Sequence, residues 1–507
     1  MKRSGIPLIG IVAGIFLFLG SCQSEDLGYF WREGSDPVIK NYNGNRAVLK
    51  LLASDTGSNS VTQEESTNGA KVAVAQWVKV VVGAKGARFW AITQDNQENV
   101  YAVGQLGPGG LDLGDGVSLN GAGALIVKYD SAGNVRWARS AEESQSGGSF
   151  TAVAVDKEGS VYAAGRVGPD FDFGNGVSDD GQGGPTALIK FDSDGTARWA
   201  LSARGANLTS IVVGADGNIY LAGGCLSSFT GFQHEAPGFT QPAGATAPAE
   251  IAMLVKVDRS GNALWAKTAP GWDMGSVYNA LTIDGAGNIY AAGQATGDVY
   301  VHLQAPGRGT TDFGNSVVVH DPGGTILVKY NSEGIAQWVQ TVPDPSYILI
   351  EGMARDERGG IYIQCDVEHT GVVDFGNGVQ VQTTSINANS ILVKYNGDGQ
   401  AQWARSPSNA SGYGSVVVDA SGLYIVAYLS KADGHEDEEF LVCYDFDGKL
   451  KDTKVLHGIK NGSTHAFDRD NRGATVLAGD AGESLDLGNG LVAATAYGDG
   501  FVAKYKE

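Results

Sequence analysis

Residues 125–137 read Leu125-Ile-Val-Lys128-Tyr-Asp-Ser-Ala-Gly-Asn-Val-Arg-Trp137, and the same order of residue types returns along the chain. Each copy has an apolar run that ends in Lys, then an aromatic residue or Val, an Asp or Asn, a Gly turn and Trp. In five copies Lys and Trp are nine residues apart, at 128 and 137, 190 and 199, 256 and 265, 329 and 338, and 394 and 403. A constant interval predicts one turn geometry in every copy.

A second signature precedes the first in each repeat and has Asp, Gly and an apolar pair that ends in Tyr, as in Asp156-Lys-Glu-Gly-Ser-Val-Tyr162. The Tyr positions are 101, 162, 220, 290, 362 and 424, with Val476 in the seventh copy. Short β-branched and aromatic runs between Gly turns predict four strands per repeat, called a, b, c and d in chain order. In the second repeat we expect them at Thr151 to Val155, Val161 to Ala164, Ala187 to Phe191 and Ala197 to Ser202.

The strand count predicts a closed ring. Strands b and c each occur seven times, and the last c strand is Gly500-Phe-Val-Ala-Lys504-Tyr505. The first d strand, Gln76-Trp77-Val-Lys-Val80, precedes any a, b or c strand, and no d strand follows the last c strand. The predicted fold is therefore all-β: a seven-bladed β-propeller of four-stranded antiparallel blades, closed by pairing the N-terminal d strand with the C-terminal blade. Blade six departs most, because Cys443 replaces the Lys and no Trp follows Gly448.

The N-terminus predicts export. Residues 1–22 have a basic start, an apolar stretch from Ile6 to Leu19 and then Leu19-Gly-Ser-Cys22, which is the order of a secretion signal. The last four residues resemble the lipobox of bacterial lipoproteins, which implies a lipid on Cys22 and a location in the cell envelope. An uncleaved membrane anchor stays an alternative, although the apolar stretch is short for a span. Gln23 after the Cys favours the outer membrane over the inner one.

Residues 23–71 show no repeat, and residues 54–69 are polar, so we expect a flexible tether before a propeller domain at 72–507. The aromatic run Gly28-Tyr29-Phe30-Trp31 is either linker or a docking segment. A net charge of −20 opposes nucleic acid and anionic lipid head groups as partners, and we expect a monomer. The remaining thiols, Cys225, Cys365 and Cys443, are expected to be buried and free, with a disulfide from Cys225 as the alternative.

The two signatures resemble the SBBP β-propeller repeat of bacterial surface and exported proteins, over roughly Gln76 to Lys506. The resemblance implies a propeller and adds little chemistry, because members of that family are mostly of unknown function.

Loop lengths predict the binding face. The b-to-c loops vary most, and in a four-stranded meander the b-to-c and d-to-a connections emerge on one rim. Loops that vary over a rigid scaffold are where binding usually occurs. The longest loops run from Leu226 to Ile251 and from Ala295 to Gly324. The candidate binding residues in them are Phe232, His234, Phe239, His302 and His320.

The same loops repeat Asp-Phe/Leu-Gly-Asn/Asp-Gly, beginning at Asp112, Asp172, Asp374 and Asp486. We interpret it as a hairpin in which Asp caps the turn and the aromatic side chain packs into the blade interface. The alternative is a ring of carboxylates that binds a cation such as calcium as a cofactor. The repeated Trp residues are expected to pack between blades. The repeated Lys residues are expected to be solvated on outer strands.

No catalytic motif such as Gly-x-Ser-x-Gly or His-Glu-x-x-His occurs, and the seven His residues lack metal-ligand spacing. We therefore expect a non-enzymatic binding or scaffold protein whose partner is a protein, a polysaccharide or another envelope component. One alternative is a propeller lipoprotein of outer-membrane barrel assembly, which the Gly-x-x-x-Trp element resembles. The other is a carbohydrate-active lyase or hydrolase, which acidic pairs and aromatic residues at a channel mouth would favour.

Overall fold

The structure is a computed structural model. It describes residues 50–51, 65–66, 71–81, 87–141, 148–168, 171–178, 184–226, 229, 250–269, 276–294, 310–320, 324–343, 347–368, 370–383, 389–406, 415–429, 437–460, 463–470, 472–481, 484–486, 492–494 and 499–506. The predicted signal at residues 1–22, with Cys22, and the run at residues 28–31 lie outside these residues. No helix among the described residues is long and apolar enough to cross a membrane.

The chain forms seven blades, each of four antiparallel strands in the order a, b, c, d. Blade 1 has Arg88–Gln94, Val100–Leu106, Gly123–Tyr129 and Val135–Ser140. Blade 2 has Ser149–Val155, Val161–Arg166, Thr186–Phe191 and Ala197–Ala203. Blade 3 has Ala206–Val213, Ile219–Leu226, Glu250–Val257 and Ala263–Thr268. Blade 4 has Val277–Ile283, Ile289–Gln294, Gly324–Tyr330 and Ala336–Pro343.

Blade 5 has Tyr347–Arg355, Ile361–Glu368, Asn389–Tyr395 and Ala401–Arg405. Blade 6 has Val417–Asp419, Gly422–Leu429, Asp437–Tyr444 and Leu450–Lys460. Blade 7 has Ser463–Arg469, Thr475–Ala481, Asp499–Lys506 and, as its strand d, Val74–Val81. Neighbouring a strands touch in sequence around the ring, and the a strand of blade 7 returns to that of blade 1. The predicted all-β, seven-bladed architecture is confirmed, and the strands of blade 2 begin and end within two residues of their predicted bounds.

Short strands supplement the blades. Four b-to-c loops contain a two-stranded hairpin: Leu111–Asp112 with Ser118–Leu119, Thr310–Asp312 with Val318–His320, Gly371–Asp374 with Gln380–Thr383, and Ser484–Asp486 with Val492–Ala494. Upstream of the ring, Lys50–Leu51 pairs with Glu65–Ser66, and Lys71–Val72 lies parallel to strand d of blade 6.

The ring closes where the sequence predicts. Strand d of blade 7 pairs antiparallel with the C-terminal strand, with Trp77 opposite Lys504 and Val81 opposite Gly500. This pairing gives backbone partners to two strands that would otherwise be open edges at the two ends of the propeller sequence. Both ends of the propeller sequence therefore belong to one blade.

Each repeated Trp packs between blades, as predicted. The indole of Trp137 lies against Gly195 in the c-to-d turn of the next blade, where an added Cβ would come within 2.4 Å of the ring. Gly195 has φ +77, so this position needs glycine both for its conformation and for the close approach of the ring. The same contact joins Trp77 to Gly133, Trp199 to Gly261, Trp265 to Gly334, Trp338 to Gly399 and Trp403 to Gly448.

The repeated Lys residues are half-buried, and they also contact the next blade, which the sequence did not predict. Lys128 is half-buried, its ammonium lies 5.3 Å from the ring centroid of Tyr101, and it donates to the carbonyl of Ser193 in the next blade at 2.9 Å. Four further copies, Lys190, Lys256, Lys329 and Lys394, make the corresponding pair of contacts. The indole N–H of Trp137 donates to the same Ser193 carbonyl at 3.0 Å, so Lys128 and Trp137 together bind one turn of the next blade.

Blade 6 replaces this contact with a different one. Arg469 of blade 7 lies 4.0 Å from the ring centroid of Tyr424, and its Nε donates to Asp419 of blade 6 at 2.9 Å. The guanidinium therefore occupies the position over the b-strand Tyr that Lys occupies elsewhere. Cys225, Cys365 and Cys443 are buried and free, as predicted.

Candidate functional site

The rim hairpins hold the predicted Asp residues in turns. Asp112, Asp172 and Asp374 are exposed, and the Oδ1 atom of each accepts a hydrogen bond from the backbone N–H two residues later, at 2.9, 2.7 and 2.8 Å. Asp312 makes the same contact, and the side chain of Asp486 lies outside the described residues. Asp therefore caps these turns. Calcium binding by this ring stays a prediction.

The aromatic residue after each Asp anchors its hairpin. Phe173 is buried and packs on Phe150 and Phe191, at ring centroid distances of 5.7 and 5.6 Å, in a cluster that also contains side chains of blade 1. Phe313 and Phe375 occupy the corresponding clusters between blades 3 and 4 and between blades 4 and 5. The hairpins are therefore fixed to the ring through its core.

Of the five candidate loop residues, the structure describes His320 alone. It is exposed at the end of a hairpin strand, with Nδ1 3.1 Å from the hydroxyl of Thr310. Phe232, His234, Phe239 and His302 lie outside the described residues. Within the described part of the chain, no three His, Cys, Asp or Glu side chains are grouped to hold a metal ion.

A channel of about 450 Å³ lies along the ring axis, walled by the a strands of blades 1 to 5 and 7 and by the a-strand segment of blade 6. Its volume is within the range of sites that take small molecules. Apolar and hydroxyl side chains make up most of the wall. Its ionisable groups are Glu351, Arg355, His465 and Asp468.

A β-bulge in the a strand of six blades inserts one extra residue at the same height in the channel. The pairing of strand a with strand b skips this residue in blades 1, 2, 3, 4, 5 and 7, at Trp90, Thr151, Thr209, Asn279, Glu351 and His465. All six line the channel. A bulge redirects a side chain out of the regular alternation of the strand, and here it turns one residue per blade toward the axis.

Two of these bulge residues join blades. The hydroxyl of Thr151 donates to the carbonyl of Leu208 in the next blade at 2.6 Å, and that of Thr209 donates to the carbonyl of Tyr278 at 2.6 Å. Thr at this position therefore has an architectural role.

Between blades 7 and 1 the bulge residues form an aromatic wall. The rings of Trp90 and His465 are 4.8 Å apart, and His465 Nε2 lies 3.1 Å from Asp480 Oδ2. Arg88 Nε lies 3.6 Å from the same carboxylate oxygen. Trp90 is half-buried, so part of its ring remains exposed.

Between blades 4 and 5 the bulge residues are Asn279 and Glu351. Burial raises the pKa of Glu351 to about 7, and the nearby charge of Asp366 adds to the shift. The Asn279 Oδ1 atom is buried, and no described residue donates a hydrogen bond to it. Seven blades form the ring, so this pair lies across the channel from Trp90 and His465.

A second carboxyl group lies farther along the wall. Burial raises the pKa of Asp468 to about 6, although it accepts hydrogen bonds from Gln94 N at 2.9 Å and from Thr93 Oγ1 at 3.3 Å. Glu351 and Asp468 are thus partly protonated near neutral pH.

Sequence reasoning missed the channel residues, although a signal exists. Each bulge residue stands eleven positions before the b-strand Tyr, or before Val476 in blade 7. Thr fills this position twice, whereas the Tyr, Lys and Trp positions of the repeat are nearly constant. A position that varies inside a regular repeat indicates a site where the architecture does not dictate the residue.

No protein-family model and no curated protein matches the chain. Three solved structures are similar to it. The β-propeller domain of the Trilobed protease from Pyrococcus furiosus is 10% identical, with 82% of this chain and 98% of that chain covered and a TM-score of 0.41. An ulvan lyase is 10% identical over 66% and 79%, with a TM-score of 0.35, and a gluconolactonase from Xanthomonas campestris is 12% identical over 69% and 82%, with a TM-score of 0.31. These similarities concern the fold alone.

Proposed function

We propose that the protein is an exported propeller, lipid-anchored through Cys22, that binds a protein, a polysaccharide or another envelope component on its b-to-c rim without transforming it. The resemblance of its repeat to the SBBP family supports an exported role. The N-terminal residues support the lipid anchor and a place in the outer membrane.

The observation that carries this proposal is the anchoring of the rim hairpins. Their aromatic residues are buried between blades, and their Asp residues cap the turns. The exposed positions are therefore held on a preformed surface, which lowers the entropy cost of binding. Three large apolar side chains are exposed on this rim, namely Leu226, Val318 and Val372, and the last is 55% exposed.

A triple rim variant tests the proposal. Leu226→Ser, Val318→Ser and Val372→Ser together are expected to reduce recovery of the binding partner from cell-envelope extracts by about tenfold, a loss of about 1.4 kcal/mol. Recovery is measured by quantitative mass spectrometry after pull-down with the full chain. The matched control is Leu264→Ser with Ile335→Ser, two apolar residues exposed at the start of d strands on the opposite face. Equal recovery by the two variants would contradict the assignment of the face.

A carbohydrate-active enzyme is the second candidate. Glu351 and Asp468 favour it, because a carboxyl group that is partly protonated near neutral pH can act as a general acid, and Trp90 lines the same channel. Envelope polysaccharide incubated with the protein would then yield new chain ends, and Glu351→Gln would lower that rate by about a hundredfold. Absence of new chain ends, or a rate unchanged in Glu351→Gln, would remove this candidate.

A further inference from the structure

Blades 2 to 5 differ in whether the side chain at the bulge position bonds the adjacent blade. In blades 2 and 3 it holds Thr, whose hydroxyl is used in bonding the adjacent blade. In blades 4 and 5 it holds Asn279 and Glu351, which make no such bond. The ring tolerates these departures, so the two residues are not needed for the joint between blades.

Glu351 is left without a donor inside the described part of the protein. No described residue forms a hydrogen bond or an ion pair with it. It is half-buried and lines the channel, so a ligand in the channel can reach its carboxylate. Asn279 Oδ1, by contrast, is buried and out of reach of such a ligand.

The opposite wall of the channel can pack against the apolar part of a ligand that binds Glu351. Trp90 presents part of its ring to the channel, and a ring face attracts a cation as well as apolar groups. The other ionisable groups on the wall are Arg355, His465 and Asp468. The charge that acts on Glu351 is that of the Asp366 carboxylate, so the local charge favours a cation.

We propose that the channel binds a small organic cation, whose ammonium group donates hydrogen bonds to Glu351 and whose apolar body packs against Trp90. A metal ion fits less well, because one carboxylate offers fewer oxygen ligands than calcium or magnesium takes. This site is separate from the b-to-c rim, and it does not depend on the function proposed for that rim.

The test uses 2-phenylethylammonium as the probe and 2-phenylethanol as its uncharged match. Isothermal titration calorimetry with the full chain is expected to give binding of the ammonium compound at least tenfold tighter than that of the alcohol. Affinity is expected to rise from pH 6 to pH 8, because protons compete with the cation for the carboxylate of Glu351, whose pKa is about 7. Binding near pH 7 then releases protons, which titrations in buffers of different ionisation enthalpy detect.

Variants locate the site. Glu351→Gln is expected to weaken probe binding by about tenfold or more and to abolish the proton release, because it removes the carboxylate that pairs with the ammonium group. Glu333→Gln, at an exposed turn, is the matched control and should leave both probe affinity and proton release unchanged.

Three results would overturn the proposal. They are equal binding of the ammonium compound and the alcohol, no binding of either compound, and probe binding that Glu351→Gln leaves unchanged. A carbohydrate enzyme in the same channel would instead transform a neutral or anionic polymer, and it would not discriminate in favour of the ammonium group.

Discussion

Replacing Arg469 with Met is expected to lower the free energy of unfolding by about 3–5 kcal/mol, because the change leaves a buried carboxylate unpaired. The side chains of Arg469 and Asp419 are 2% and 6% exposed. Arg469 Nη1 also donates to the carbonyl of Gly473 at 2.9 Å and to the hydroxyl of Thr475 at 2.8 Å. The substitution therefore removes donors from three groups at once. Denaturation in guanidinium chloride, followed by tryptophan fluorescence, measures the loss.

The loss of unfolding free energy in the Arg469→Met variant should depend on pH. Burial by itself would raise the pKa of Asp419, but hydrogen bonds from Ser421 and Arg469 outweigh burial and lower it. A lowered pKa in the folded state stabilises the fold above the ordinary Asp pKa, and that stability disappears as the pH falls through the lowered value. The difference between the Arg469→Met variant and the wild type should therefore be largest near neutral pH and should shrink below about pH 4.

An exposed ion pair is the control for this prediction. Arg136 lies 2.7 Å from Asp130, but its side chain is 59% exposed. Arg136→Met should therefore lower the free energy of unfolding by less than about 1 kcal/mol. Comparable losses in the two variants would show that burial of the Arg469 pair is not what stabilises the interface between blades 6 and 7.

Trp77→Ala is expected to lower the free energy of unfolding by about 3–5 kcal/mol. It is also expected to open the ring where its two ends pair. The indole of Trp77 packs on Gly133, and its Nε1 donates to the carbonyl of Ser131 at 3.1 Å, so it joins blade 7 to blade 1. Among the described strands of blade 7, its own strand pairs with the C-terminal strand alone. Loss of the indole therefore weakens the one blade whose strands come from both ends of the propeller sequence.

Trp199→Ala is the matched variant, because Trp199 makes the same contacts with Gly261 and the carbonyl of Arg259. Both variants should lose similar packing energy. Hydrogen exchange measured by mass spectrometry should accelerate in Val74–Val81 for Trp77→Ala, while Trp199→Ala leaves those amides protected. Equal protection of Val74–Val81 in the two variants would refute a special role for Trp77 at the closure.

The ring could be predicted from the sequence because the residues that join the blades recur at fixed positions in the repeats. Trp137 and Gly195 stand at fixed positions in neighbouring repeats, and the same pair joins six pairs of blades. The Lys contact with the next blade was not predicted, because residue type alone does not show that the carbonyl of Ser193 lies close enough to accept from Lys128. The Arg469 contact could not be predicted either, since it replaces a repeat residue with one from another blade.

The channel was harder to foresee than the blades. Six of the seven blades each supply one bulge residue, and Trp90 and Glu351 are more than two hundred residues apart in sequence. A bulge shifts which side of the strand a residue faces, and alternation of apolar and polar residues does not show it. Only alignment of the repeats on the b-strand Tyr brings these positions into one column.

The antiparallel order of blade 7 also fixes an orientation. Strand d runs away from the c-to-d turn face, so Val74 begins at the face opposite the b-to-c hairpins. The chain therefore enters the ring at Val74 from that turn face. Leu226, Val318 and Val372 lie on the other face, so a partner bound there would not meet the point where the chain enters.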